Sequence, residues 1–267
     1  MAALKVLRHA LLRLLVLSLV ALAGVQFYFV ARIALMAVIA PESTAFERSE
    51  IYRITKTTGV LPWRQQWTPY AKISVNLQRA VIASEDASFT EHDGLDLEAL
   101  EKAWEKNAVA QRRAQKIAEQ QAAQAARQGK KPAPPVAQSP VAKPVKIVGG
   151  STITQQLAKN LFLSGERTLL RKGQELVLTL LLESLLDKQR ILEIYLNNVE
   201  WGEGIFGAEA AAQHYFRKPA ARLSPYEAAR LAVMLPRPRY FETRPNSDYL
   251  ATRANAIVAR MGSVDLP

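Results

Sequence analysis

Two glutamates near clustered cations are the residues of this chain best suited to chemistry. Glu85 lies in the stretch SEDASF, and Glu175 follows the stretch RKGQ. The cations grouped with them are Lys159, Arg167, Arg171 and Lys172, which all lie between residues 159 and 172. A carboxylate can take the proton of a sugar hydroxyl, and cations can offset the charge of an anionic leaving group. The pattern therefore indicates sugar transfer from a phosphate-linked donor.

A polar stretch, STITQQLAKN, begins at Ser151. Ser151 or Thr152 can cap a helix here, and the positive end of a helix dipole favours anions. The neutral side chains that can bond to sugar or phosphate are Ser151, Thr152, Gln155, Gln156 and Asn160. Taken singly, each site residue also has an ordinary explanation, since an isolated glutamate, arginine or lysine is usually solvated.

Helical spacing of apolar residues predicts the elements that carry these side chains. A helix that starts at Ser74 or Asn76 leads to Glu85, and Ser224-Pro225-Tyr226-Glu227 has the composition of a helix start. Further helices are expected at 95–110, 153–162, 187–197, 226–234 and about 248–261. No alternating strand series is present, so the predicted fold class is mainly α.

Two segments near the predicted site have a less regular pattern. The leucines between Leu169 and about Leu186 surround the helix axis, which predicts a helix buried on all sides. Residues 41–70 contain several turn-forming dipeptides and are predicted to be a connector without a long element.

The N-terminus predicts a membrane anchor. Leu14–Ala31 runs for 18 residues without a charge, which is about the minimum for a helix that spans a bilayer. Basic residues precede it, so residues 1–13 are expected in the cytoplasm, 14–36 in the membrane and the rest outside. A cleaved signal peptide is the alternative, because Ala21-Leu22-Ala23 resembles a cleavage site, but the apolar run continues beyond it.

Most of the positive charge is local. The segment from Glu101 to Lys146 holds ten basic and three acidic residues, and so carries +7 of the net charge of +11. Residues of about 112–146 are also rich in alanine, glutamine and proline, which predicts a flexible basic insertion. Such an insertion either attracts anionic lipid headgroups or is simply a solvated linker. Nucleic acid is not an expected partner.

The chain has no cysteine, which excludes disulfides and thiolate metal sites.

Four ordered motifs resemble the peptidoglycan glycosyltransferases of glycosyltransferase family 51, specifically the monofunctional membrane-anchored type. The first motif comprises Glu85, Asp86, Phe89, His92 and Gly94. The others are residues 150–160, then Arg171 and Lys172 with Glu175, then the stretch KQRILEIYLN. The resemblance covers about 45–262 apart from the insertion.

This resemblance implies a lysozyme-like helical glycosyltransferase domain that polymerises lipid II, with the domain in the periplasm and the anchor in the bacterial inner membrane. It implies that Glu85 is the base and that Glu175 is the second catalytic carboxylate. The cations Lys159, Arg167, Arg171 and Lys172 are expected to bind the diphosphate. The expected partners are lipid II, the lipid-linked glycan, the membrane and the cell-wall or division machinery.

Other roles follow less directly. A divalent cation, Mg²⁺ or Mn²⁺, can be held through Glu175. Asp86 either orients Glu85 or bonds to backbone amides, and His92 is assigned a packing or hydrogen-bonding role. Gln174 occupies a position where some family members carry a cation, so no phosphate role is assigned to it.

Two alternatives differ in class. A lysozyme-type hydrolase needs a carboxylic acid to protonate its leaving group, and the cations are expected to lower the pKa values of Glu85 and Glu175, which disfavours this role. A non-catalytic membrane scaffold does not explain the two intact glutamates. No Ser-x-x-Lys motif occurs in the sequence, so peptide cross-linking by this chain is not expected.

Overall fold

The computed structural model describes residues 2–127, 150–163 and 168–267. They form two compact units, one of Leu95–Ser151 and one of Met1–Gly94 with Thr152–Pro267. Arg167 and most of the predicted insertion lie outside the described residues. For residues 128–146, the flexible insertion therefore stays a prediction.

The larger unit is built mainly of helices, as predicted. The longer ones are α1 (Ala2–Leu35), α2 (Ala45–Thr58), α3 (Val75–Glu85), α5 (Ile153–Phe162), α6 (Leu169–Leu185), α7 (Lys188–Asn198), α8 (Ala208–Phe216), α9 (Pro225–Met234) and α11 (Asp248–Val258), and α10 (Pro238–Glu242) is short. Single 3₁₀ turns lie at Tyr70–Lys72, Ala220–Arg222 and Met261–Ser263. The smaller unit contains α4 (Leu97–Arg127), which begins near the helix predicted at 95–110 and continues into the first part of the predicted insertion.

The connector predicted at 41–70 is wrong, because it contains helix α2. Thr44 and Glu47 form a capping box at the start of α2, and Gly59 ends the helix in the left-handed conformation. These polar caps satisfy the terminal backbone groups of a helix whose sequence is weakly amphipathic. Capping, not the spacing of apolar residues, therefore marks the bounds of this helix in the sequence.

The larger unit also contains a small three-stranded sheet. Its strands are β1 (Arg64–Gln65), β2 (Glu200–Gly202) and β3 (Ile205–Phe206), in the order β1-β3-β2. β1 pairs parallel to β3, and β2 pairs antiparallel to β3. Trp63 stacks on Phe206 with ring centroids 4.4 Å apart, so this tryptophan packs on the domain.

The core lies between α3, α5, α7, α9 and α11. α3 packs against α9, and α9 packs against α11. Among the largest fully buried side chains are Trp201, Tyr195, Phe89 and Phe206. Burial of each such side chain contributes about 1.5–3 kcal/mol, so this core holds α3, α5 and α7 in fixed relative positions.

Helix α6 differs from its prediction, because only one of its faces is buried. Leu178 and Leu182 are fully buried, whereas Leu176 and Leu180 are exposed. At its first turn Leu169 is 92% exposed. The prediction of burial on all sides was wrong because leucines around a helix axis do not reveal which faces have protein neighbours.

Helix α1 contains the predicted anchor. Its segment Lys5–Leu35 is long and apolar enough to cross a membrane. The C-terminal half of α1 packs on α6. There the side chains of Gln26 and Gln174 donate hydrogen bonds to each other, at 3.1 and 3.4 Å. Gln174, to which the sequence assigns no phosphate role, thus pairs with a polar residue of the predicted anchor.

Candidate functional site

Helix α3 positions Glu85 at its last residue. Ser74 caps the helix by accepting a hydrogen bond from the backbone N–H of Leu77, and Leu77, Ala80 and Val81 are fully buried. Because these apolar side chains fix the helix in the core, the carboxylate at its end has a defined position. Glu85 is half-buried there.

The carboxylate of Glu85 has one close neutral donor. Nε2 of Gln156 donates to Oε2 of Glu85 at 3.1 Å, and the hydroxyl of Ser84 lies 3.5 Å from Oε1. Burial raises the pKa of Glu85, the hydrogen bonds from Gln156 and Ser84 oppose this, and the charge of Asp86 adds to it. A carboxylate with a raised pKa is a stronger base toward a sugar hydroxyl.

Asp86 bonds to a backbone amide and to a histidine. Its Oδ2 accepts the backbone N–H of Ile153 at 2.9 Å, and its Oδ1 lies 2.9 Å from Nε2 of His92. The backbone N–H of Gly94 donates to Nδ1 of His92 at 3.1 Å, so Nε2 carries the proton given to Asp86. Of the two alternatives for Asp86, this geometry favours the backbone contact, which ties the loop after α3 to the start of α5.

The start of α5 is closed by a capping box. Oγ1 of Thr152 accepts the backbone N–H of Gln155, and Oε1 of Gln155 accepts the backbone N–H of Thr152. Oγ1 of Thr152 also donates to the carbonyl of Gly94 at 2.7 Å. The side chains of Thr152 and Gln155 are therefore engaged in building the site, and their predicted contacts with substrate stay a prediction. Ser151 is exposed.

Helix α6 supplies a buried carboxylate with two cations. Glu175 is 4% exposed, its Oε2 accepts from Arg171 at 3.0 Å, and its Oε1 pairs with Lys172. The spacings of four and three residues place all three side chains on one face of the helix. Nε of Arg171 is buried without a hydrogen-bond partner among the described residues.

Lys159 of α5 belongs to the same cluster. It is exposed to solvent, yet the surrounding protein lowers its pKa from the ordinary lysine value. The charge of Glu175 opposes this lowering, and the charges of Arg171 and Lys172 add to it. The cluster of Lys159, Arg171 and Lys172 around Glu175 is called the cation cluster below.

One face of α5 connects the two glutamates. Gln156, which bonds to Glu85, and Lys159, which faces Glu175, are three residues apart and therefore neighbours on the helix surface. Asn160 follows Gln156 by four residues on this face and is half-buried. Gln156, the partner of Glu85, and Lys159, a member of the cation cluster, thus lie about one helical turn apart on α5, an arrangement suited to removing a proton beside an anionic leaving group.

The proposed metal ligand is poorly suited to a metal. Each carboxylate oxygen of Glu175 already pairs with a cation, Arg171 or Lys172. A divalent ion needs a free carboxylate oxygen and is repelled by adjacent positive charges. The described residues at Glu175 therefore do not fit Mg²⁺ or Mn²⁺.

Comparison with known proteins identifies the family. A family model described as Transglycosylase matches residues 53–131 and 137–262. The chain belongs to the transglycosylase family. The match continues across most of the predicted insertion and omits only 132–136 between its two parts.

Two similar proteins have the same name. The transglycosylase chain is 50% identical over 242 residues to the biosynthetic peptidoglycan transglycosylase of Burkholderia thailandensis, which covers 91% of this chain and 82% of that protein. It is 46% identical over 263 residues to the biosynthetic peptidoglycan transglycosylase of Herminiimonas arsenicoxydans, which covers 98% of this chain and 100% of that protein. The lysozyme-like, mainly helical fold expected for a transglycosylase agrees with the helices described above.

The expected lowering of the pKa of Glu85 is wrong. Its pKa is raised, because burial is the largest influence and no cation of the described chain acts on it. The cations gather around Glu175 on α6, not around Glu85 at the end of α3. The motifs of this transglycosylase therefore did not reveal which of the two glutamates the cations surround.

Three residues that support the site were not predicted as site residues. The hydroxyl of Tyr195 donates to Oε1 of Gln156 at 2.9 Å. Glu183 accepts from Thr154 at 2.6 Å and from Lys188 at 2.9 Å, and Lys188 also lies 4.6 Å from the ring centroid of Phe89. The helical spacing of Tyr195 indicates only a core residue, so no local signal reveals its polar contact.

Gly94 allows the loop after α3 to pack against α6. Its φ is +85°, and a Cβ atom there lies 2.7 Å from Cγ2 of Thr179 and 2.9 Å from Cγ of Glu183. We expect Gly94→Ala to lower the free energy of unfolding by about 2–5 kcal/mol, because strain and overpacking add. Thermal unfolding of the detergent-solubilised protein measures this effect.

Gly173→Ala is the matched control for this prediction. Gly173 lies within α6, and a Cβ atom there has nothing within 4 Å. Alanine favours a helix by about 1 kcal/mol over glycine, so this variant should be at least as stable as the wild type. Equal unfolding temperatures for Gly94→Ala and the wild type contradict the packing described at Gly94.

Proposed function

We propose that this transglycosylase polymerises lipid II into the glycan strands of peptidoglycan. The observation that carries the proposal is the position of Glu85 and of the cation cluster along one face of α5. Membership of the transglycosylase family and the names of the two relatives support the same reaction. The donor is the lipid-linked growing glycan, and the acceptor is the next lipid II.

Glu85 acts as the general base. Its carboxylate takes the proton of the acceptor 4-hydroxyl while the hydroxyl oxygen forms a bond to the anomeric carbon of the donor. The bond from that carbon to the diphosphate oxygen breaks, and undecaprenyl diphosphate leaves with the electron pair. Attack from the side opposite the leaving group inverts the anomeric configuration.

The cation cluster stabilises the departing diphosphate. Arg171 offers a planar fork of donors, whereas Lys159 and Lys172 act as point charges. Glu175 keeps Arg171 and Lys172 on one face of α6. Diphosphate is already a good leaving group, so no general acid is needed. Arg167, which lies outside the described residues, is proposed to join this cluster.

The proposal also includes location and partners. Helix α1 anchors the enzyme in the bacterial inner membrane by a single pass, and Lys5, Arg8 and Arg13 hold residues 1–13 in the cytoplasm. The domain of 45–262 then lies in the periplasm, where it can reach the lipid-linked glycan. Components of the cell-wall or division machinery are proposed as protein partners.

Glycan hydrolysis is the second candidate, because one observation favours it. The raised pKa of Glu85 is also the direction required of a general acid. Glu175 is a poor partner for such an acid, since both of its oxygens pair with cations. The two reactions have different substrates and can be separated directly.

Two parallel incubations test the proposal. The full-length enzyme in detergent is given fluorescently labelled lipid II in one reaction and preformed peptidoglycan sacculi in the other. We expect long glycan strands from lipid II and no soluble muropeptides from the sacculi. Release of muropeptides without polymer formation overturns the polymerase and supports the hydrolase.

A further inference from the structure

A chain of two hydrogen bonds joins the core to the proposed base. The hydroxyl of Tyr195 on α7 donates to Oε1 of Gln156 on α5 at 2.9 Å. Nε2 of the same amide donates to Oε2 of Glu85 on α3 at 3.1 Å. Three helices therefore meet at one amide group, and each contact crosses between helices.

The hydroxyl of Tyr195 determines which way the amide of Gln156 faces. Tyr195 is 1% exposed, and burial raises the pKa of its phenol well above the ordinary value, so the group stays protonated and acts as a donor. A reversed amide removes the acceptor from this buried proton and turns a carbonyl oxygen toward the carboxylate of Glu85. Both changes are unfavourable, because buried polar groups need partners and like partial charges repel.

We propose that Tyr195 is a positioning residue for glycosyl transfer, which acts through Gln156 to hold Oε2 of Glu85. The other carboxylate oxygen, Oε1, is then the atom that receives the proton of the attacking hydroxyl. This inference rests on the proposed function. It also revises the role of Gln156, which was predicted to bind sugar or phosphate.

Besides burial, three residues of the described chain shift the pKa of Glu85. Asp86, the next residue, raises its pKa by charge, and Gln156 and Ser84 lower it by hydrogen bonding. Loss of the bond from Gln156 therefore moves the pKa of Glu85 further upward. A change in the acidic limb of the pH–rate profile is thus a direct signature of the hydrogen-bond chain.

Tyr195→Phe tests the role of the hydroxyl alone, because phenylalanine fills the same space. We expect kcat to fall about tenfold and KM for lipid II to stay within about twofold, because one orienting hydrogen bond is lost at a position that does not touch substrate. The acidic limb of kcat/KM should move to higher pH. A structural role alone lowers the unfolding temperature without moving that limb.

Tyr215→Phe is the matched control. The hydroxyl of Tyr215 donates to the carbonyl of Trp201 at 2.7 Å, in a different part of the same unit. Removing it deletes a similar hydrogen bond without touching Gln156 or Glu85. We expect wild-type kcat and an unchanged pH profile from this variant.

A double-mutant cycle tests whether Tyr195 acts through Gln156. If it does, adding Tyr195→Phe to Gln156→Met produces no further loss of kcat beyond Gln156→Met alone. Additive losses overturn the proposal, as does wild-type kcat with an unchanged acidic limb in Tyr195→Phe.

Titration of the Glu85 carboxyl by ¹³C NMR separates this proposal from the proposed function. Assignment uses Glu85→Gln, and the measurement needs no turnover. A higher pKa in Tyr195→Phe, together with no polymer from the wild type, upholds the hydrogen-bond chain and overturns the polymerase. Equal pKa values in an active enzyme overturn the hydrogen-bond chain alone.

Discussion

Glu85→Gln should abolish polymer formation while leaving the protein folded. Glutamine keeps the size of glutamate and one acceptor oxygen but cannot accept the proton of the 4-hydroxyl. Loss of a positioned general base costs about 10²–10⁴-fold in rate, so we expect polymer below the detection limit of a gel assay. Fluorescently labelled lipid II provides the readout.

The stability of Glu85→Gln serves as its internal control. Burial raises the pKa of Glu85 in the folded protein, so the ionised carboxylate disfavours folding. This penalty is absent below the pKa of the unfolded chain, grows as the pH rises to the folded-state pKa, and is constant above it. Glutamine removes the penalty, and the unfolding temperature at pH 7 should equal or exceed that of the wild type. Substantial polymer from a folded variant removes Glu85 from the mechanism.

The same raised pKa predicts the pH dependence of the wild type. Glu85 must be ionised to act as a base, so the rate falls as the pH drops through its folded-state pKa. We expect the midpoint of this acidic limb above about 4.3, the ordinary value for glutamate. A pH profile of kcat/KM for the wild type measures it, and a midpoint at or below the ordinary value contradicts the raised pKa.

Glu175→Gln should reduce kcat about 100-fold, because it disturbs the cation cluster and not the general base. The substitution leaves Arg171 and Lys172 without their counter-ion and removes the one charge that opposes the lowered pKa of Lys159. The cations then repel one another and lose the positions required to stabilise the leaving diphosphate. Losses of this size are typical when one preorganised electrostatic contact is removed.

Binding and stability distinguish this effect from simple misfolding. Loss of negative charge should not weaken binding of lipid II, so KM is expected to stay equal or fall. Glu175 is buried, but Lys172 is largely exposed, so we expect the free energy of unfolding to drop by only about 1–3 kcal/mol. Wild-type kcat in a destabilised variant contradicts the electrostatic role.

Glu227→Gln is the control for Glu175→Gln. Glu227 pairs with Lys218 at 2.8 Å and also forms a capping box with Ser224 at the start of α9. Glutamine preserves the capping box and removes only the ion pair. Its kcat should match the wild type, since no site residue contacts this pair.

Residues close together in the sequence determined the helices that build the site. The spacing of apolar residues and the caps predicted α3, α5 and α9 to within about a residue, and α7 within the same range. The four motifs identified Glu85, Glu175 and the cations as candidates, and the family comparison agrees with the reaction class inferred from them. Local patterns suffice here because helical periodicity and capping involve residues within four positions of each other.

Only the tertiary structure decided how those residues act together. Gln156 meets Glu85 across 71 residues and Tyr195 across 39, and no local pattern encodes either contact. The direction of the pKa of Glu85 likewise depends on burial by distant elements, which outweighs the hydrogen bonds from Gln156 and Ser84. The leucines of α6 were misjudged for the same reason, since exposure depends on which other helices cover each face. The sequence by itself therefore determined which chemical groups are present. Packing between distant segments decided which of these groups are in contact and in which direction their pKa values shift.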